Sequence, residues 1–439
     1  MDLILEDLPL AGDPLAPLRA VRLNSWLSGH GSAVLSSNVG SAELPFQRWF
    51  HFKEAFSPKL VIQALKAMPR EVKRVADPCG GSGTTSLTCS MMNMECQTIE
   101  VNPFLADLIR AKNADYQLDA LYADIAKVLN APPPTPDFNR IAGGPATLVE
   151  PGVADRWVFN RDVAGRVLSF LQIIEMQAAP AHTPLFRVLL GSVLVGVSNV
   201  VINGKGRRYR SGWKGRRVTA YEVESRFKKA CLDAASDIAR FGSRRTGKVR
   251  LLEGDARQRV HDLEPIDCAL FSPPYPNSFD YTDIYNLELW MLGYLSAKHD
   301  NTALRGSTIH SHVQVHRTGR KPQASSAILD DAYEALSARR EALWNRNIPE
   351  MIVSYCADME ELLEGLASRV IPGGGVAIVV GGSSYAGLTI DIPEILVDLG
   401  KNIGLQLRAQ QSLRAMRLSA QQGGQHKLAE DLLVFEVAR

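Results

Sequence analysis

The apolar positions of this chain follow two periods. Short apolar runs bounded by turn residues predict strands at Arg74-Val75-Ala76 and over Cys96 to Val101. Helices are predicted between and after them, over Ser86 to Met94 and Pro103 to Asn113, which makes a strand-helix-strand-helix unit of an α/β sheet. Beyond Ala131-Pro132-Pro133-Pro134-Thr135-Pro136, a segment that cannot continue a helix, apolar residues recur at three and four spacings over Arg156 to Ile202 and Ala220 to Phe241. That stretch predicts a mostly helical insertion. Strand patterns resume at Val249 to Leu252, Asp267 to Phe271, Val376 to Val380 and Leu432 to Val437. A helix over Ile348 to Val370, ending in Pro372-Gly373-Gly374-Gly375, predicts a helix-to-strand turn of the kind that joins parallel strands.

The length of 439 residues fits two or three units, or one domain with a large insertion. With 46% hydrophobic and 22% charged residues, the chain falls outside the disordered, collagen-like and coiled-coil classes. The net charge of +2 confines any polyanion-binding surface to a local patch. Six cysteines at 79, 89, 96, 231, 268 and 356 form no CxxC pair and have no histidines at zinc-site spacing, so a reducing compartment is expected and no metal. Early acids and the lack of a basic, long-apolar leader in Met1 to Asp7 lead to a cytoplasmic expectation. The most apolar stretch, Val188 to Ile202, is shorter than the roughly 20 residues a bilayer needs and reads as a buried helix rather than a membrane span.

Three segments carry chemistry. Asp77-Pro78-Cys79-Gly80-Gly81-Ser82-Gly83-Thr84-Thr85 lies after a strand and before a helix, so its glycines allow close backbone approach to a ligand and the helix start offers free N–H groups. By itself it also reads as a plain connection or a phosphate loop, although the lysine of a Walker motif is missing. Glu100, ending the next strand before Val101-Asn102, can accept both hydroxyls of a ribose; read alone it is also a solvent-facing acid. Together the two segments imply a nucleoside-bearing cofactor. The third segment, Ser272-Pro273-Pro274-Tyr275, follows an apolar strand and forms a rigid non-helical ledge with a hydroxyl, carbonyls and an aromatic face. Those groups suit a planar base held by its exocyclic amine and stacked on a ring; a plain proline-rich turn is the alternative.

In combination these segments resemble the amino-methyltransferases, which use S-adenosylmethionine to methylate an exocyclic nitrogen of a DNA base. The DPCGGSGTT segment is similar to their cofactor motif I. HFKEAFSPKLV, His51 to Val61, resembles the upstream motif that lines the methionine end of the cofactor, which implies roles for Phe56 and Lys59. LLEGDA, Leu251 to Ala256, resembles the segment whose acid, here Asp255 beside Ala256, meets the adenine. SPPY resembles the catalytic motif in the variant typical of cytosine-N4 enzymes, whereas enzymes acting on adenine more often have Asp or Asn in place of Ser272. The resemblance covers roughly residues 45 to 115 and 245 to 439. It departs in layout: the cofactor motifs precede SPPY, and the helical insertion falls before LLEGDA rather than where a recognition domain is usual.

The resemblance implies a Rossmann-like, mostly parallel, doubly wound sheet with a large helical insertion. An N-terminal extension over 1–45, a cofactor-binding part over 46–115, the insertion over 116–245 and a catalytic part over 246–439 are expected. It implies that Ser272 and the Pro273 carbonyl accept hydrogen bonds from the amine, localising its lone pair for methyl transfer. Pro274 and Tyr275 complete the ledge, and Cys79 is no nucleophile.

A target base must leave the duplex to reach such a ledge, which demands a grip on phosphates. Asn203 to Val218 supplies Lys205, Arg207, Arg208, Arg210, Lys214, Arg216 and Arg217 without one acid, beside Tyr209 and Trp213. It reads as a phosphate-contacting, base-stacking loop, with a merely solvated loop as the alternative. His310, His312 and His316 lack a carboxylate or cysteine at ligand spacing and are expected to touch base or backbone rather than metal. Asp280, Tyr281, Asp283 and Tyr285 are expected to shape the base pocket. The function expected is site-specific DNA methylation at cytosine N4, with DNA as partner and room for a separate restriction endonuclease. Adenine N6 methylation, RNA methylation and a non-catalytic binding module remain open alternatives.

Overall fold

The computed structural model describes residues 23–28, 35–203, 206–315, 321–323, 326–416 and 428–438. Its strands are β1 (Arg74–Asp77), β2 (Glu95–Glu100), β3 (Val200–Asn203), β4 (Gly206–Tyr209), β5 (Val249–Glu253), β6 (Ile266–Phe271), β7 (Val370–Gly381), β8 (Ser383–Tyr385), β9 (Leu388–Ile390), β10 (Leu405–Met416) and β11 (Leu428–Val437). Seven of them form one sheet in the order β10-β11-β7-β6-β1-β2-β5. Strands β7, β6, β1, β2 and β5 run parallel to one another, while β11 is antiparallel to both β7 and β10. This is a mixed, mostly parallel α/β sheet of Rossmann-like methyltransferase type.

The buried runs explain the parallel centre. β6 is buried at all six positions, as expected for a strand covered by helices on both faces. One buried cluster includes Val75, Leu87, Phe104, Phe170, Leu189 and Phe227; the other includes Ile99, Phe271, Met359 and Ile378. From β1 the chain winds outward through β2 to β5, then returns to β6 and continues to β7 on the other side. The reversal between β1 and β6 opens a crevice at the C-terminal strand ends, where α/β sheets bind ligands.

The middle stretch contains helices over Leu118–Asn130, Arg161–Gln177, Thr183–Val197 and Ala220–Phe241. The single helical run expected over 156–202 is thus broken: His182-Thr183-Pro184 starts a new helix, and Val200 enters the antiparallel hairpin β3-β4. β-branched Val200, Val201 and Ile202 favour that hairpin over a helix. Thr183–Val197 is largely buried, and no described helix is long and apolar enough to cross a membrane. Buried Asp237 ties the Ala220–Phe241 helix to the residues before the first motif. It accepts from the Phe46 N–H at 3.0 Å, Trp49 Nε1 at 3.0 Å and Arg48 Nη2 at 2.6 Å.

Two further differences from the expected elements have local causes. Pro372 to Gly375, expected as a turn, lies inside β7, where the pairing with β6 is irregular between Ile266 and Cys268 and Gly373 has φ +73°. β10 escapes a pattern reading because Gln406, Arg408, Gln410 and Gln411 are exposed along this edge strand.

Candidate active site

Neighbouring strands in the order β6-β1-β2-β5 bring four segments side by side: Ser272 follows β6, Asp77 ends β1, Glu100 ends β2 and Asp255 follows β5. A cavity of about 290 Å³ opens along this edge. It is lined on one side by Gly80, Gly81, Ser82, Glu100 and Asn102, and on the other by Ser272, Pro273, Pro274 and Tyr275.

On the first side, the loop after β1 is built by backbone geometry. Gly81 and Gly83 have φ of +51° and +75°, a region that disfavours a Cβ. A Cβ on Gly80 would stand 2.5 Å from Thr98 Oγ1. Asp77 accepts the Cys79 N–H at 3.0 Å. Glu100 Oε2 accepts the Gly81 N–H at 2.6 Å and its Oε1 the Asn102 N–H at 2.8 Å. Glu100 is therefore a buried brace of the loop as well as a wall of the cavity, not a solvent-facing acid. Burial pushes the Glu100 carboxyl up to about 7 and that of Asp77 up to about 6, against hydrogen bonds that oppose the rise. Cys79 also lines the cavity, and burial with nearby acids pushes its thiol up, away from the reactive thiolate.

Phe56, Pro78, Thr84, Val101 and Ala256 line the cavity, whereas Lys59, Asp77, Gly83, Thr85 and Asp255 do not line it. The Asp255 carboxylate caps its own short helix at Arg257 N, 3.0 Å, and accepts from Arg257 Nε at 2.9 Å. Arg257 in turn donates to Asp358 Oδ1 at 2.7 Å, and Asp358 Oδ2 accepts the His310 N–H at 2.9 Å. A buried acid-base-acid bridge thus joins the loop after β5 to the cavity wall at Thr308, Ile309, Ser311 and His312.

On the ledge side, Tyr275 is buried and its hydroxyl donates to Glu430 Oε1 at 2.8 Å. Ser272 Oγ donates to that hydroxyl at 3.3 Å. Tyr281 and Tyr285 also line the cavity: the Tyr281 hydroxyl accepts the Tyr275 N–H at 3.4 Å, and Tyr285 stacks on Phe52 at 4.9 Å and 18°. Asp280 is turned inward to Arg305 Nε, 2.7 Å away, and to Thr282. Buried His312 has Nε2 at 3.6 Å from Asp280, and burial lowers its pKa. His316 lies outside the described residues.

Several residues in or behind the cavity wall were not among the site residues expected from the sequence. Glu54 is hydrogen-bonded to Tyr285 and pushed up by burial; Lys112 donates to the Ser82 carbonyl at 2.7 Å and to Gln47 Oε1 at 2.8 Å, and burial lowers it to about 7. Glu430 and Arg414 come from the last two strands. Only a buried lysine in an otherwise amphipathic helix, or a glutamate at the start of an apolar strand, marks them in the sequence.

The basic segment divides by role. Arg210 donates to the carbonyls of Val195 at 2.9 Å and Ser198 at 3.2 Å, and Arg216 to Gly196 at 2.7 Å, so both cap the C-terminus of the Thr183–Val197 helix. Lys214 pairs with Asp155, and Arg217 donates to the Lys214 carbonyl at 3.1 Å. Trp213 packs between Trp157 and Tyr209, with centroids at 5.1 and 4.8 Å. Arg208 is exposed, Arg207 reaches Asp283 at 3.4 Å, and Lys205 lies outside the described residues. Cavity-lining Lys53 donates to the Ile202 carbonyl at 2.6 Å and so fixes the hairpin beside the site.

The donor set fits a cationic nucleoside ligand. Among the described residues lining the cavity, Glu54 and Glu100 have no ion-pair partner, since Lys53 is engaged by a carbonyl and Arg414 by Glu430. A sulfonium and an ammonium group supply the missing positive charge, and a ribose supplies hydroxyl donors to the remaining lone pairs of Glu100.

No family model matches the chain. It is 26% identical over 404 residues to the Type II methyltransferase M.AvaI of Nostoc sp., with 83% of this chain and 80% of that protein covered; the Anabaena variabilis M.AvaI matches equally. It is 23% identical over 414 residues to the Type II methyltransferase M.BsoBI of Geobacillus stearothermophilus, covering 82% of this chain and 78% of that protein. Over about four fifths of its length the chain is thus similar to proteins named Type II methyltransferases.

Proposed function

We propose that the protein transfers a methyl group from S-adenosylmethionine to the N4 amine of cytosine within a specific DNA sequence, as the methylating partner in restriction-modification. One observation carries this reading: the glycine loop with Glu100 and the SPPY ledge face a single cavity, so a nucleoside cofactor and a base can meet in it. Similarity to Type II methyltransferases supports DNA as the substrate.

In this reading, Gly80, Gly81 and Glu100 hold the ribose, Phe56 and Glu54 border the charged end, and Ala256 borders the adenine. S-adenosylmethionine supplies an electrophilic methyl group on a sulfonium. The protein's own part is positional and electrostatic. Ser272 Oγ and the Pro273 carbonyl accept hydrogen bonds from the exocyclic amine, which bends it out of conjugation and concentrates its lone pair. Tyr281 and Tyr285 line the same cavity and enclose the extruded base, keeping water from the amine. Arg207 and Arg208 on the hairpin approach the phosphates. Ser272 supports cytosine over adenine through the resemblance of SPPY to the cytosine-N4 variant of the motif, since adenine-directed enzymes more often have Asp or Asn there.

The test is incubation of purified protein and deuterated-methyl S-adenosylmethionine with unmethylated genomic DNA and, separately, with RNA, followed by nucleoside mass spectrometry. Labelled N4-methylcytosine from DNA is expected. Labelled N6-methyladenine keeps the site and overturns the base, label in RNA alone overturns the substrate, and no label in either polymer favours a binding module.

A further inference from the structure

Outside the four motifs, the described cavity wall contains one ion pair, Arg414 with Glu430, contributed by the two antiparallel strands at the sheet's edge. Arg414 Nε donates to Glu430 Oε2 at 2.6 Å and Nη2 to Oε1 at 3.1 Å. Oε1 also accepts the Tyr275 hydroxyl at 2.8 Å, and that hydroxyl accepts from Ser272 Oγ at 3.3 Å. Glu430 is 2% exposed, so its charge is shielded from water and set by these partners.

The order of donors and acceptors in this row has only one low-energy direction. Arg414 can only donate, and an ionised Glu430 can only accept. Two acceptors lie within reach of the Tyr275 proton, the Val379 carbonyl at 3.4 Å and Glu430 Oε1 at 2.8 Å; the carboxylate is the nearer and the charged one, so the proton points at Glu430 and the phenol oxygen is left as the acceptor facing Ser272. A serine hydroxyl has one proton; once it is given to Tyr275, only lone pairs remain to face the cavity.

We propose that Glu430, anchored by Arg414, is a positioning residue that acts through Tyr275 to hold Ser272 as a hydrogen-bond acceptor toward the target amine. This rests on the methyltransferase reading given above. Without the row, Ser272 could equally turn its proton to the cavity and oppose the amine hydrogens it has to receive. The pull of Glu430 agrees with the Tyr275 phenol, which burial and this carboxylate push up. Glu430 does not touch the reacting atoms in this scheme, and its contribution is the direction of one proton two residues away.

The experiment compares Glu430→Gln, Arg414→Gln and Arg414→Lys with the wild type in steady-state methylation of DNA, with thermal melting to confirm folding. In Glu430→Gln, Arg414 takes the amide oxygen and the amide N–H₂ turns to Tyr275, which reverses the row. We expect kcat to fall by about 10²-fold, the scale of a misplaced catalytic contact, while KM for DNA and cofactor stays within about twofold. Arg414→Gln, at a partly exposed position, falls in the same sense and Arg414→Lys restores most of kcat. As a readout apart from turnover, ζ-carbon-labelled tyrosine is followed by NMR, with Tyr275 assigned through Tyr275→Phe; its resonance shifts in Glu430→Gln. An active wild type with a folded Glu430→Gln variant of full kcat, or an unmoved Tyr275 signal, overturns the row. A wild type that methylates no DNA amine overturns the underlying reading instead, and the acceptor role with it.

Discussion

Glu100 at the end of β2 accepts the Gly81 N–H at 2.6 Å and the Asn102 N–H at 2.8 Å, so one carboxylate holds the glycine loop of the adjacent strand and still faces the cavity. Glu100→Gln can satisfy only one of these amides. Loss of a charge-assisted bond costs about 1.5–3 kcal/mol, so S-adenosylmethionine binding should weaken by about tenfold or more. Isothermal titration decides it, and an unchanged Kd would remove Glu100 from the cofactor site.

The same acid sets a pH dependence. Burial raises it from its ordinary 4.5 to about 7, so across that window the folded protein keeps a proton that the unfolded chain has released. Stability attributable to Glu100 therefore falls as pH rises from about 5 to about 8. Asp77, raised from 3.8 to about 6, acts in the same sense at lower pH. Urea midpoints of wild type and Glu100→Gln should converge or cross in favour of the variant as pH rises; a gap that widens in favour of the wild type contradicts the sign.

Arg257 stands between Asp255 and Asp358, all three buried. Arg257→Met withdraws the guanidinium that pairs with both buried carboxylates, and removal of one partner of such a group costs about 3–5 kcal/mol. A urea titration of the folded variant measures the loss. Full stability would mean that water reaches the two acids.

Two arginines of the basic segment should separate cleanly. Arg208→Ala, at an exposed position, is expected to weaken DNA binding and to reduce the slope of log K against log salt by about one. Arg216→Ala removes donors from the carbonyls of Gly196 and Ser198, so it should lower the melting temperature instead. Fluorescence anisotropy across a salt series, alongside thermal melts, distinguishes them; equal salt slopes for the two variants would contradict the division.

Gly80→Ala places a methyl group 2.5 Å from Thr98 Oγ1 and 2.9 Å from Ile109 Cδ1. Thr98 is fully buried in β2 and cannot yield, so the loop must move off Glu100. Cofactor affinity should fall with little change in the far-ultraviolet spectrum. Retained affinity would show that the loop adapts.

The motifs were legible because each is continuous in sequence and sits where a strand ends. A strand's apolar run and the turn chemistry after it are local properties, so DPCGGSGTT, Glu100 and SPPY could be placed on an α/β sheet before any contact was known. Asp255 shows the limit of such local reading, since its carboxylate is engaged by Arg257 and does not line the cavity. The basic segment shows it again: charge density along the chain does not reveal that Arg210 and Arg216 serve a helix end.

By itself the sequence determined the α/β class, the mostly parallel strands and the residues at their ends, because burial period and glycine geometry act over a few neighbours. The tertiary structure decided which distant charges meet: Arg414 with Glu430 behind Tyr275, Arg257 with Asp358 behind Asp255, and Lys112 beneath Ser82. The members of those pairs lie between 16 and 155 residues apart in the chain. Nothing in the local pattern fixes such pairings, because a buried charge is stabilised by whichever element the fold packs against it.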